Sequence, residues 1–129
     1  MAKPLVLSYS GCQTCRKALK WLDEHGVDAD VRPIVDAPPT AEELAAWVPL
    51  SGRPIRRWLN TSGQSYRALG KERISEAKDE QILQWLTQDG KLVKRPVVVA
   101  GKRVLVGFDE DAFAEAFANG GARKTKKGR

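Results

Sequence analysis

The chain has 129 residues, 42% of them hydrophobic and 29% charged, with two cysteines and a formal charge of +6. That length supports a single domain with a real hydrophobic core and no need of disulfide staples. Apolar runs such as "VVVA" at 97–100 fall far short of the roughly 20 residues of a membrane-spanning helix, so an integral membrane protein is not expected.

Residues 1–11 go from one lysine straight into a short apolar run, with neither the core nor the cleavage pattern of a secretory leader. A cytoplasmic location is therefore expected, with no membrane partner. The basicity is local. Arg123, Lys124, Lys126, Lys127 and Arg129 lie in the last nine residues, leaving 17 basic against 16 acidic side chains in residues 1–122. The body is thus nearly neutral. Residues 119–129 read as a basic, disordered tail, and nucleic-acid contact is expected only as weak attraction to that tail.

"PLVLSY" at 4–9 reads as a buried strand ending at Ser10-Gly11. From Thr14 onward the period is helical: Cys15, Ala18, Leu19 and Leu22 fall on one face, and Gly26 is a C-terminal stop. "DADVRPIV" at 28–35 is a weaker strand, placed by Pro33 at an edge or at its own end. Together these make a βαβ unit with the cysteines at the strand-to-helix turn.

Thr40 and Glu43 form a capping box for a helix through Leu44 and Trp47. Two short helical stretches follow in 51–70, separated by Thr61-Ser62-Gly63, and a further helix is predicted in 75–90. Trp21, Trp47, Trp58 and Trp85 are expected in core or helix-contact roles. Arg53, Arg56 and Arg57 read as a solvated face. "RPVVVAGKRVLVGF" carries two β-branched runs around Ala100-Gly101-Lys102, the signal of a hairpin. "DEDAFAEAFA" at 109–118 opens with acidic residues that suit a helix N-terminus. The order β-α-β, helices, β-β-α is the thioredoxin topology. Residues 1–118 are read as one α/β domain carrying a helical insertion at about 40–90.

Cys12 and Cys15 are the chemically informative residues. At the start of a helix, Cys12 meets unpaired backbone N–H groups and the positive end of the helix dipole, which favour a thiolate. Arg16 and Lys17 add positive charge nearby. Cys15, one turn on, is in reach of a mixed disulfide formed on Cys12 and faces the core. A structural zinc site needs four ligands, and only His25 could join the pair, about 15 Å along the helix from Cys15, so no metal is expected. Two inert buried cysteines are the plain alternative. The strand–CxxC–helix placement favours a redox pair.

"CQTCRKALKWLDEHGV", "LNTSGQSYRALG" and "DGKLVKRPVVVAGKRVLVGF" together resemble the arsenate-reductase-like (ArsC/Spx) family of thioredoxin-fold proteins, in register from about residue 4 to 118. The resemblance implies a cis-proline at Arg95-Pro96 beside the active cysteine. Arsenate reductases of the family use a cysteine matching Cys12 and three arginines. One matches Arg95, while the other two fall on Asn60 and Gly107, neither of which offers a cationic fork. Those enzymes generally have serine where this chain has Cys15.

The Spx-type branch carries C-x-x-C as a redox switch and binds the RNA polymerase α subunit. Another branch resembles glutathione-dependent thiol reductases, in which Lys94 or Arg95 would pair with a glutathione carboxylate. The resulting expectation is a thiol–disulfide oxidoreductase with no bound cofactor and with glutathione or thioredoxin as electron donor. Cys12 is the attacking residue and Cys15 the resolving one, supported by Arg16, Lys94, Arg95 and Pro96. A redox-switched regulator and an arsenate reductase are the alternatives.

Overall fold

The structure, a computed structural model, describes residues 3–118. The tail at 119–129 lies outside the described residues. The chain divides into two units: 1–32 with 95–129, and the intervening Pro33–Lys94. The second unit begins before and ends after the 40–90 segment read from the sequence.

β1 (Leu5–Ser8), α1 (Gln13–Glu24) and β2 (Asp30–Pro33), whose last residue opens the second unit, follow in order. After the second unit come β3 (Val97–Ala100), β4 (Arg103–Val106) and α6 (Glu110–Ala118). The four strands form one sheet in the order β2-β1-β3-β4. β3 runs antiparallel to both β1 and β4, with Val6 opposite Val98 and Val98 opposite Leu105. Gly101 turns the β3–β4 hairpin at φ +62°, a conformation β-carbons disfavour. The edge strand β2 is the most exposed, as its proline implies.

The apolar periodicities converge on a core of Val6, Ala18, Trp21, Leu22, Val27, Val98, Phe113 and Phe117. Trp21 meets Phe113 edge-on, with ring centroids 5.4 Å apart. The α1 side chains on its buried face are Cys15, Ala18, Trp21 and Leu22, so one helical stripe both anchors the helix and buries the second cysteine.

The helical unit starts with α2 (Ala41–Ser51), whose capping box is complete. The Glu43 N–H donates to Thr40 Oγ1 at 3.1 Å, and the Thr40 N–H donates to Glu43 Oε1 at 3.0 Å. A 3-10 turn at Ile55–Trp58 leads to α3 (Gln64–Leu69), α4 (Lys71–Glu76) and α5 (Asp79–Gln88), and a second 3-10 turn spans Gly90–Leu92.

The helix predicted in 75–90 is α5, which starts only at Asp79, because Ser75 and Glu76 end α4. Ala77 and Lys78 are extended, with ψ of 142° and 166°. Asp79 and Glu80 then supply negative charge to the first turn of α5. Trp47 and Trp58 are buried here and Trp21 in the first unit, whereas Trp85 is half-buried. The unit also contains one strand-like element, an antiparallel bridge between Leu59 and Val93.

Arg56 is exposed, as the solvated-face reading expects, but it is not idle. Its guanidinium donates to the carbonyls of Ile74 and Ala77, both at 2.7 Å, and so satisfies acceptors at the end of α4. The architecture is an α/β thioredoxin-like fold with a helical insertion. No helix among the described residues is long and apolar enough to cross a membrane.

Candidate functional site

Where β1 ends, Tyr9-Ser10-Gly11 turns the chain into α1, and the Cys12 N–H donates to Tyr9 O at 2.9 Å. A β-carbon at Gly11 would sit 2.9 Å from the Tyr9 ring, so glycine lets that ring lie against the turn. Cys12 is the N-cap of α1. Its backbone is extended, its carbonyl accepts the first helical bond from the Arg16 N–H at 3.1 Å, and its Sγ accepts from the Cys15 N–H at 3.2 Å. The sulfur thus occupies the place a serine or aspartate oxygen takes in an ordinary N-cap. No acidic side chain lies in the first turn of α1.

This geometry sets two unlike thiols side by side. Partial burial opposes ionisation of Cys12. That effect is outweighed by hydrogen bonds from the Cys15 thiol and the Cys15 N–H and by the Arg95 guanidinium, which both hydrogen-bonds the sulfur and attracts its charge. The Cys12 pKa therefore falls below its ordinary value. Cys15 has no exposed surface. Burial, reinforced by hydrogen bonding to Cys12 and repulsion from its charge, pushes the Cys15 thiol up to about 11, against opposing hydrogen bonds from the Tyr9 backbone and the Ser8 side chain. Both cysteines are free thiols here.

Among the supporting residues named from sequence, Arg95 comes together with the thiol pair, and Pro96 follows it in the chain. The Arg95–Pro96 peptide is cis, and Pro96 is buried with its carbonyl accepting from the Gly107 N–H at 2.8 Å. The Arg95 guanidinium also lies 5.3 Å from the Tyr9 ring centroid, a cation–π contact that holds it over the turn.

Arg16 takes a different position. Its Nη1 donates to Ser10 O at 2.7 Å, so it braces the turn, and the cation acting on Cys12 is Arg95. Lys17 is exposed. Lys94 belongs to the helical unit, where its N–H donates to Trp58 O at 2.7 Å. His25 ends α1 with its ring stacked on Trp21 at 3.7 Å and its Nδ1 2.8 Å from Trp21 O. Among the described residues no group of three or more His, Cys, Asp or Glu is placed to hold a metal ion.

Ser8 and Tyr9 contribute to the site without having been singled out from sequence. Ser8 alone hinted at it, as a hydroxyl in the otherwise apolar run "LVLS", on the same strand face as buried Val6.

A strand that delivers a C-x-x-C pair to a helix N-terminus, with an arginine against it and a cis-proline next to that arginine in the chain, defines a thioredoxin-fold protein with thiol-based redox function. The family model described as "ArsC family" matches residues 7–116. The chain is 44% identical over 111 residues to "Uncharacterized protein YusI" of Bacillus subtilis (strain 168), covering 85% of this chain and 94% of that one. It is 30% identical over 100 residues to "Global transcriptional regulator Spx" of Enterococcus faecalis (strain ATCC 700802 / V583), covering 78% and 75%. The crystal structure of a putative ArsC family related protein from Bacteroides fragilis superposes with a TM-score of 0.84 at 44% identity, over 89% of this chain and 99% of the other. The chain belongs to the ArsC family.

Proposed function

We propose that this protein is a cytoplasmic thiol–disulfide oxidoreductase that reduces a disulfide substrate through Cys12 and Cys15. The observation that carries this reading is the difference between the two thiols. Cys12 has its pKa lowered at a half-buried helix N-cap, while Cys15 is buried and held protonated beside it.

In the reaction, the Cys12 thiolate attacks one sulfur of the substrate disulfide. The substrate S–S bond breaks, the first thiolate leaves and takes a proton from water, and a mixed disulfide joins the substrate to Cys12. The charge on Cys12 is then gone, and with it one of the influences that keep Cys15 protonated. Cys15 loses its proton and attacks Cys12 Sγ, which releases the second substrate thiol and closes the Cys12–Cys15 disulfide. Two electrons have passed to the substrate, and a thiol reductant of the glutathione or thioredoxin class returns them. Arg95 holds the thiolate, Arg16 braces the Ser10 turn, and Pro96 fixes the backbone beside the pair.

Turnover of a small disulfide with glutathione or thioredoxin, abolished by Cys12→Ser, is the expected result. A protein that turns over neither, or whose Cys12→Ser variant keeps full activity, contradicts the reading.

A second reading, a redox-switched regulator that binds the RNA polymerase α subunit, is favoured by the likeness to Spx. In that case oxidation of the pair would change capture of that polymerase subunit, with negligible turnover. Arsenate reduction is less favoured. The positions that resemble two oxyanion arginines carry Asn60, whose amide donates to Lys91 O, and Gly107, which has no side chain.

A further inference from the structure

Ser8 is out of keeping with its surroundings. It closes β1 on the face of Val6, and it is the one buried side chain of a polar or charged type among the described residues, only 6% exposed. Val6, Leu7 and Cys15, by contrast, have no exposed surface. A hydroxyl in such a place loses its water and needs a partner to offset the loss. An alanine or valine would end the strand without that cost, so packing does not call for serine.

The partner is the second sulfur. Ser8 hydrogen-bonds Cys15 Sγ through its side chain, and Tyr9 does so through its backbone. The two are consecutive where β1 ends, in the same unit as the thiol pair. In the reduced chain Cys15 also hydrogen-bonds Cys12, whose charge opposes a second one beside it. Once Cys12 is in a mixed disulfide that charge is gone, and the two donors face a sulfur that must ionise away from water. Fixed donors in a dry site are worth most where charge develops.

We propose that the Ser8 hydroxyl and the Tyr9 N–H together receive the negative charge of Cys15 in the resolving step, which makes Ser8 a catalytic residue of the reaction. The proposal rests on the oxidoreductase reading. As Cys15 Sγ loses its proton to solvent, Ser8 donates a hydrogen bond to it and keeps its own proton. The thiolate forms the S–S bond to Cys12 Sγ while the bond from Cys12 to the substrate sulfur breaks, and the leaving thiolate takes up a proton. The same donors serve the return, when a thiolate of the reductant attacks Cys12 and Cys15 departs with the electron pair.

The test mixes the reduced full chain rapidly with an equimolar amount of dithiobis(nitrobenzoate). The first nitrothiobenzoate released reads attack by Cys12, and the second reads attack by Cys15. Losing one hydrogen bond to a charged sulfur weakens its ionisation roughly tenfold, and the more basic thiolate regains about threefold in nucleophilicity. Ser8→Ala should therefore slow the second release roughly threefold at pH 7 and raise the pH at which it reaches half its maximum, with the first release little changed. Ser8→Thr, which keeps the hydroxyl, should leave both near their wild-type values. An unchanged second release in Ser8→Ala overturns the proposal, as does a slower one whose pH midpoint has not moved, since lost packing would give that. A wild-type chain that releases fewer than two equivalents contradicts the oxidoreductase reading by itself. Ser8 is then judged in the Cys12→Ser chain by the pH dependence of Cys15 alkylation: a midpoint raised by Ser8→Ala supports the donor role, and an equal midpoint overturns it.

Discussion

Cys12 and Cys15 are the same residue type three positions apart, yet their surroundings push their protonation in opposite directions. The cause is the start of α1. The first residue has its sulfur at the open N-terminus, where backbone N–H groups lack partners, and the second falls on the buried stripe with Ala18 and Leu22. At neutral pH, site-resolved alkylation is expected to modify Cys12 while Cys15 stays protected, and Cys15 should ionise only near pH 11.

Arg95→Ala removes both a hydrogen bond and a positive charge from Cys12. The Cys12 titration should then move upward and alkylation at pH 7 should slow. An unchanged titration would show that the backbone and Cys15 suffice. The C-x-x-C placement and the unlike exposure of the two sulfurs could be read from the strand-to-helix switch alone. The role of Arg95 could be reached only through resemblance, because nothing local in the sequence joins positions 12 and 95. The positive charge of Arg16 was legible, but not its use on Ser10 O, since a rotamer decides that.

Elements were legible where a pattern met a stop signal. Thr40 and Glu43 mark the start of α2, whereas its end at Gly52, with φ +71°, came only with the structure. Thr40→Ala should lower stability by about 1 kcal/mol in denaturant titration by removing the side-chain acceptor of the Glu43 N–H. The break between α4 and α5 was not legible, because Ala77-Lys78 contains neither glycine nor proline and the apolar positions run on across it. The second 3-10 turn is likewise quiet in sequence, yet its Gly90 lies against the backbone of the Ile34 segment. A β-carbon on Gly90 would overlap Ile34 O, so backbone would have to move. Gly90→Ala should therefore cost more than about 3 kcal/mol, among the severe single substitutions. A loss under about 1 kcal/mol would mean that the Ile34 segment yields easily. In the first unit, Phe113→Ala should cost about 3–5 kcal/mol, because this fully buried ring packs against Trp21, Phe108 and Phe117.

For the molecule as a whole, the order of elements follows from hydrophobic periods and turn residues, and it positions the thiol pair by a rule that needs no further detail. A buried strand stops, the chain turns, and the next helix opens at a cysteine. Family membership adds a framework of thiol-based redox chemistry, within which this chain keeps both cysteines and lacks cationic side chains at Asn60 and Gly107. A reductase and a redox-switched regulator share one event, formation of the Cys12–Cys15 disulfide. That event depends on ionisation of the leading sulfur, so its titration bears on both. The most direct measurement is the pH dependence of Cys12 alkylation in the reduced wild-type chain, resolved by mass spectrometry. The account predicts a midpoint below the roughly 8.5 of a free cysteine, with formation of the Cys12–Cys15 disulfide under mild oxidant following the same curve. A midpoint at or above about 8.5, with no disulfide formed, would contradict it.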